Sequence, residues 1–215
     1  MLPAELKKAI ESLLNEKHVT RVEVINSIGV GGGCINETLV LQTTNGKYFI
    51  KYNSATAYPG MFEKEAAGLR ILSDTNTLAV PGVIGSGEAG KYAFLLLQCI
   101  ENGTPGKDFW NAFGTGLAAL HRNTSEYFGL DYNNYIGSLA QSNRLHPDFN
   151  SFLIAERIEP MLKEARNKGA FSQSDMRFFD SLFKSLHNII PAEIPRTALS
   201  WLYRLRDVHS KRLDR

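Results

Sequence analysis

The first third of the chain carries three kinds of residue that could together bind phosphate groups. Glycines at positions 31–33 interrupt β-type sequence, and glycines at such a turn let backbone N–H groups approach phosphate oxygens without interference from Cβ atoms. Lys51 ends a later strand, from which its ammonium could reach phosphates lying under the turn. Glu63 and Glu65 follow on a helix, and either carboxylate could hold that lysine in place.

Each of these features taken singly has an ordinary structural explanation. The glycines suit a flexible hairpin turn, the lysine suits an exposed strand end, and the glutamates suit a solvated helix face. Their order is more informative: glycine-rich hairpin, strand lysine, helical glutamate, two further strands, then a helical half. This order is typical of a kinase small lobe, in which a lysine–glutamate ion pair positions the phosphates of ATP. A Rossmann or P-loop site is disfavoured because no helix follows the glycines directly.

The elements that would position these residues follow from hydrophobic periodicity. Residues 3–16 are predicted to form an amphipathic helix, and three antiparallel strands follow, with Asn45-Gly46 as the hairpin signal between the second and third. The segment 61–74 is predicted to be a helix, and two more strands lie between residues 80 and 100. One face of that helix collects its apolar side chains, which are Phe62, Ala66, Leu69 and Leu72.

The second half of the chain reads as mainly helical. Residues 101–106 form a Gly/Pro-rich breaker, and we expect the lobe boundary there. Helices are predicted at about 107–122, 150–168 and 173–190, whereas the segment 129–143 is predicted to be a loop because it is rich in glycine and asparagine. The apolar faces of the last two helices are expected to be exposed around Phe152, Leu162, Phe178, Leu182 and Leu186.

Composition excludes several classes of protein. The chain has 215 residues, 43% of them hydrophobic and 21% charged, with 24 Lys+Arg against 22 Asp+Glu, which is typical of a soluble globular protein. A net charge of +2 gives no reason to expect a nucleic acid or an anionic membrane as a partner. The N-terminus does not look like a signal peptide, and no run approaches the roughly 20 apolar residues of a membrane span. We therefore expect a cytoplasmic location.

Two cysteines, Cys34 and Cys99, cannot form a disulfide framework, and no Cys/His metal cluster is present. Cys34 follows the glycines, where backbone N–H groups and a nearby lysine could give its thiol a reactive character. A small packing residue is an equally good interpretation of Cys34. Cys99 belongs to an apolar strand and is expected to be an inert core residue.

Several longer motifs make the chain resemble the fructosamine kinase (ketosamine-3-kinase) family. That family is related to the aminoglycoside phosphotransferases and shares the protein-kinase-like fold. The match extends over about residues 3–195, and the cysteine in the glycine segment is specific to this family. The motifs that carry it are GGGCIN at 31–36, FIK at 49–51, MFEKEAAGLRIL at 61–72, VPGVI at 80–84, FLLLQCIE at 94–101, FGTGLAALH at 113–121, FGLDYNNYIGSLAQSN at 128–143 and ERIEPMLKEA at 156–165.

The resemblance implies an α+β, two-lobed, protein-kinase-like fold. Residues 1–101 would form the N-terminal ATP-binding lobe, residues 102–195 a partial helical C-terminal lobe, and residues 196–215 a non-matching tail. The implied activity is ATP-dependent phosphorylation of a sugar hydroxyl on a ketoamine, which is a glycated amine, either as a small molecule or bound to a protein. A non-catalytic nucleotide-binding remnant and a helical interaction module are the alternative functions.

The resemblance also assigns candidate site residues. Lys51 would contact the ATP phosphates and Glu65 would pair with it; Glu65 is preferred to Glu63 because its spacing fits the family's helix. The phosphate-covering loop would consist of Gly31, Gly32, Gly33 and Cys34. The hinge that reads the adenine through its backbone would consist of Gln98, Cys99, Ile100 and Glu101. The segment that shapes the sugar side would contribute Asn133, Asn134, Tyr135, Gln141 and Asn143.

The family's catalytic motif, of the type His-Gly-Asp-Leu-Trp-Ser-Gly-Asn, is expected just after Pro195 and does not occur there. Mg²⁺ is expected for the family, but its ligands belong to the missing part, so this chain is expected to fail in phosphate transfer. Ser200-Trp201 can be encoded by TCATGG, which contains CATGG and reads His-Gly in another frame. We therefore expect either a frameshift near residue 196 or a shortened gene product.

Overall fold

The computed structural model describes residues 1–31 and 35–190 of the chain. These residues divide into two compact units, one formed by Met1–Leu117 and the other beginning at Ala118. The lobe boundary at residues 101–102 stays a prediction.

The first unit is built on one antiparallel sheet. Its strands are β1 (Val24–Gly29), β2 (Glu37–Thr43), β3 (Gly46–Ser54), β4 (Val83–Ala89) and β5 (Tyr92–Gln98). Their spatial order is β1-β2-β3-β5-β4, so β3 is the central strand. The predicted hairpin between β2 and β3 is confirmed: Thr43 lies opposite Gly46, whose φ of 104° is in the region that favours glycine.

Two helices, α1 (Ala4–Lys17) and α2 (Met61–Asp74), cover the two faces of this sheet. The side chains of β3 alternate between them. Tyr48, Ile50 and Tyr52 join a core cluster with α1, whereas Phe49 and Ala55 pack with the cluster of α2. All four apolar residues predicted for the inner face of α2 are buried. Lys51 and Asn53 have odd residue numbers like Phe49, and they are therefore on the α2 side of the sheet.

Helix α3 (Phe109–His121) leads into the second unit, which is mainly helical. Helix α4 (Phe149–Leu153), a π-helical turn (Ile154–Ile158) and helix α5 (Glu159–Asn167) follow one another without a break, and α6 is Gln173–Ile189. The predicted loop at 129–143 is wrong in part, because it contains a hairpin of strands β6 (Asn134–Ile136) and β7 (Leu139–Gln141). Strands of three residues are too short to show an alternating pattern.

The predicted exposure of apolar residues in this unit is correct for two positions and wrong for three. Phe178 and Leu182 are exposed by 75% and 37%, whereas Phe152, Leu162 and Leu186 are buried. Periodicity marks an apolar face but does not show which part of it neighbouring elements cover. Within residues 1–31 and 35–190, no helix is both long enough and apolar enough to cross a membrane.

Candidate functional site

The predicted pair of Lys51 and Glu65 forms in the structure. The Lys51 ammonium donates to Oε1 of Glu65 over 2.8 Å, and the two side chains are 10% and 29% exposed. Lys51 lies in the middle of the sheet, opposite Thr38 on β2 and Leu95 on β5, so its backbone is held on both sides. Glu63, two residues before Glu65 on α2, is exposed.

Packing of α2 explains why Glu65 is the partner. The helix begins after Gly60, whose φ is 66°, and buries Phe62, Ala66 and Leu69 against the sheet. Residues three and four apart share a helix face, so Glu65 stands between buried positions and faces β3. A mostly buried ammonium needs a charged partner. The bond to Glu65 therefore fixes the position of the Lys51 ammonium on this face of the sheet.

The glycine segment begins two strands away from Lys51, on the far side of β2. Val30 donates its backbone N–H to the carbonyl of Thr38 over 3.0 Å and accepts a hydrogen bond from the Thr38 hydroxyl. Because Thr38 is directly opposite Lys51, the exposed Gly31 starts two strands away from the lysine. The remaining predicted loop residues, Gly32, Gly33 and Cys34, lie outside the described part of the chain.

The predicted hinge, residues 98–101, leaves the end of β5. The Gln98 N–H donates to the carbonyl of Gly82 over 2.8 Å, and the Glu101 carboxylate accepts from Lys47 over 2.6 Å. That hydrogen bond raises the pKa of Lys47 and lowers the pKa of Glu101. Ile100 is exposed.

Cys99 differs from the sequence expectation. It lies just beyond the last residue of β5 and is half-buried, so it is not an inert core residue. The apolar run from residue 93 to 97 is buried, and the sequence gives no sign that the strand ends before its next apolar residues. The thiol is therefore part of the segment after the strand.

The predicted sugar-side residues lie in and next to the hairpin of the second unit. Asn134 is opposite Gln141, and Tyr135 is opposite Ala140. Asn143 is fully buried: its amide donates to the Tyr132 carbonyl and to Oδ1 of Asn134 over 3.1 and 3.0 Å. Its backbone N–H donates to the exposed Asn133, and its Oδ1 accepts from Arg157 over 2.6 Å. Asn143 thus holds the segment together from inside.

Glu156 and Arg157, on the π-helical turn, were missed as candidate residues. Arg157 donates to the Ser142 carbonyl over 2.7 Å and to Asn143, and its guanidinium lies 4.5 Å from the ring of Phe152. Glu156 is 2% exposed and accepts from Arg144 and His146, each over 2.9 Å. Glu156 therefore binds residues 144 and 146, and its neighbour Arg157 binds residues 142 and 143.

Electrostatics follow from this burial. Burial raises the pKa of Glu156, but hydrogen bonds from Ser142, His146 and Arg144 outweigh it, so its pKa lies below the usual range. Burial also lowers the pKa of Arg157 to about 10, against the opposing charge of Glu156. Glu156 and Arg157 both lie on the π-helical turn, and both side chains bind residues of the segment 142–146.

The sheet order, the α2 helix and the Lys51–Glu65 pair match the small lobe of the protein-kinase-like fold. A family model described as fructosamine kinase matches residues 6–200. The chain therefore belongs to the fructosamine kinase family.

Individual relatives agree with this assignment. A protein of Synechocystis sp., provisionally named a ketoamine kinase, is 36% identical over 65% of this chain and 47% of its own length. A chloroplastic protein-ribulosamine 3-kinase of Arabidopsis thaliana is 36% identical over 74% of this chain and 48% of its own length. The chain thus spans about half the length of these curated relatives.

A solved structure supports the fold. The crystal structure of a Thermobifida fusca protein, provisionally named a fructosamine-3-kinase, superposes with a TM-score of 0.73 at 26% identity. The superposition covers 87% of this chain and 64% of the other. The expected α+β, kinase-like architecture is confirmed.

Proposed function

We propose that this chain supplies the ATP-binding lobe of a kinase that phosphorylates a sugar hydroxyl of a ketoamine. The observation that carries the proposal is the mostly buried ion pair between Lys51 and Glu65 on the α2 side of the sheet. Its support is membership of a family with relatives named for ketoamine and ribulosamine substrates. In such a reaction the hydroxyl oxygen attacks the γ-phosphorus and gives its proton to a base, the bond to the bridging oxygen breaks, and ADP leaves.

In this proposal Lys51 binds the phosphates and Glu65 fixes the direction of its ammonium. The segment from Gly31 to Cys34 covers the phosphates, and the backbone of Gln98, Cys99, Ile100 and Glu101 reads the adenine. A lysine already oriented before ATP arrives does not lose side-chain freedom on binding, so its contact with phosphate is stronger.

For the sugar side we propose Asn133, Asn134, Tyr135 and Gln141, whose amide and hydroxyl groups suit the hydroxyls of a sugar. Asn143 takes the role of a scaffold in this segment, since its side chain is already bound to Tyr132, Asn134 and Arg157. We also propose a cytoplasmic location for the protein.

Magnesium, which phosphoryl transfer from ATP requires, is not assigned to residues of this chain. Within the described ranges, no group of three or more His, Cys, Asp or Glu side chains converges as a metal site would require.

Nucleotide affinity tests the proposal directly. We expect the full chain to bind ATP, measured by calorimetry, and Lys51→Ala to weaken that binding at least tenfold. Lys91→Ala is the matched control, because Lys91 is an exposed lysine in the turn between β4 and β5. Equal affinities of the Lys51 and Lys91 variants would refute the proposal.

Phosphate transfer to a fructosamine, measured as ADP release, tests the reaction itself. Because the His-Gly-Asp type motif does not occur after Pro195, we expect this chain by itself to bind ATP without transfer. Transfer would exclude the non-catalytic alternative. The interaction module is favoured by one observation, the exposed aromatic cluster of Phe109, Trp110 and Phe113 on α3, and predicts no ATP binding.

A further inference from the structure

Asn53, a buried asparagine on β3, is not one of the candidate site residues. Asn53 is 6% exposed and stands two residues after Lys51, on the same face of the strand. Apart from Lys51, the side chains on that face include the apolar Phe49 and, just after the strand, Ala55. A buried side-chain amide lowers stability unless its polar atoms are paired, so its presence needs an explanation.

The hydrogen bonds of Asn53 join three segments that carry the proposed phosphate-side residues. Its Nδ2 donates to Oδ1 of Asn36 over 2.9 Å, in the chain between the glycine segment and β2. The same Nδ2 lies 3.3 Å from Sδ of Met61, the first residue of the helix that carries Glu65. The third segment is β3 itself, which carries Lys51.

Packing alone does not account for this arrangement. Oδ1 of Asn53 is buried and has no hydrogen-bond partner among the described residues. An apolar side chain of the same size would fill the space and leave no unpaired acceptor. The amide therefore lowers the stability of the core, although it forms the hydrogen bond to Asn36. Loss of stability at a site beside Lys51 is typical of a functional constraint.

We propose that Asn53 is a positioning residue for the nucleotide phosphates, because its bond to Asn36 sets the chain that follows the glycines against Lys51 and helix α2. This inference rests on the proposed ATP-binding function. It concerns phosphate recognition only, since Asn53 is not part of the predicted adenine hinge at residues 98–101.

The affinity for ATP compared with the affinity for adenosine tests this role. Asn53→Ala and Asn36→Ala are each expected to weaken ATP binding by the free energy of one hydrogen bond, about three- to tenfold. The double variant should bind ATP with about the same affinity as the single variant of lower affinity, because both changes remove the same hydrogen bond. Adenosine, which lacks phosphates, should bind all variants within about twofold of the unchanged chain.

Thr43→Val is the matched control. Thr43 is also buried, and its replacement by valine removes two side-chain hydrogen bonds, to Gly46 and Asn45, at the far end of the β2–β3 hairpin. We expect it to lower the unfolding temperature while the ratio of ATP to adenosine affinity stays the same.

Several outcomes would overturn the inference. Equal weakening of ATP and adenosine, or strictly additive effects of the two single variants, would show a purely structural role. If Asn53→Ala does not fold, the half-buried Asn36→Ala decides alone, and unchanged ATP affinity there refutes the inference. If Lys51→Ala weakens ATP binding but the Asn53 and Asn36 variants do not, only this inference fails. If Lys51→Ala has no effect, the proposed function fails.

Discussion

At the scale of single residues, the two buried charged side chains of residues 1–31 and 35–190, Lys51 and Glu156, each have a charged partner. The Lys51 ammonium donates to Glu65, and Oε1 of Glu156 accepts from both Arg144 and His146. A buried charge that loses its partner is strongly destabilising. Removing either partner is therefore expected to affect the stability of the fold around the pair.

Glu65→Gln tests the first of these pairs. The amide keeps the shape but removes the charge, so Lys51 loses its counter-ion. We expect ATP affinity to fall about three- to tenfold, and stability to fall by about 1 kcal/mol, which is less than for a fully buried pair because Glu65 is 29% exposed. Calorimetry and urea unfolding provide the two measurements. Glu63→Gln, on the exposed face of α2, should change neither, and a larger effect there would contradict the assignment.

The pH dependence of stability tests the second pair. Because the pKa of Glu156 is lowered on folding, its contribution is present above the unfolded pKa of about 4.3 and is lost as the pH falls through the folded value. We expect Glu156→Gln to be less stable at pH 7 by about 1.5–3 kcal/mol, the range of hydrogen bonds to charged groups. Its stability should also fall less steeply than that of the unchanged chain below pH 5.

Urea midpoints at a series of pH values measure this effect. Glu159→Gln, an exposed carboxylate at the start of α5, is the control and should follow the unchanged chain. Parallel pH curves for Glu156→Gln and the unchanged chain would show that the carboxylate does not gain stability from its partners.

These two pairs also mark how far residue-level prediction reaches. The Lys51–Glu65 pair could be predicted because both residues sit at fixed places in a recognisable order of elements. Glu156 could not, since a glutamate beside an arginine on a helix usually faces water. Its inward direction depends on the π-helical turn and on the chain at 142–146, and neither leaves a sequence pattern.

At the scale of elements, long periodic segments were predicted well and short ones were not. The helices at 4–17 and 61–74 follow from three or more turns of apolar spacing. The β6–β7 hairpin has only three residues in each strand, so its form depends on contacts such as those of Asn143 and not on local preference.

Two glycines of α3 provide a test at this scale. A Cβ added at Gly116 would lie 2.6 Å from Cδ2 of Leu78 and 3.0 Å from the carbonyl oxygen of Thr77, whereas one added at Gly114 meets nothing within 4 Å. Gly116→Ala is therefore expected to destabilise the protein by about 1–3 kcal/mol through overpacking. Gly114→Ala should stabilise it by up to about 1 kcal/mol, because alanine favours the helix.

Thermal or urea unfolding of both variants under the same conditions gives the answer. Opposite signs for two identical substitutions two residues apart would show that helix α3 packs closely on the segment at 77–78. The same sign for both would contradict that close approach.

At the scale of the whole molecule, each unit leaves apolar side chains in solvent. Phe109, Trp110 and Phe113 are exposed in the first unit, and Met161, Phe178 and Ile189 in the second. Apolar surface of this kind promotes association, whereas buried apolar residues maintain the fold. Sequence periodicity identified the apolar residues of the second unit, but it predicted exposure for three of five that are buried. Burial of these residues depends on packing between elements, which periodicity does not show.

Phe178 and Phe152 allow this division of roles to be tested with one substitution. Phe178 is 75% exposed on α6, whereas Phe152 is 1% exposed and its ring contacts His146 and Arg157. Phe178→Ala should leave the free energy of unfolding within about 0.5 kcal/mol and reduce concentration-dependent association, measured by light scattering. Phe152→Ala should lower that free energy by about 3–5 kcal/mol. A stability loss at Phe178 equal to that at Phe152 would mean that α6 is packed in solution through the face that carries Phe178.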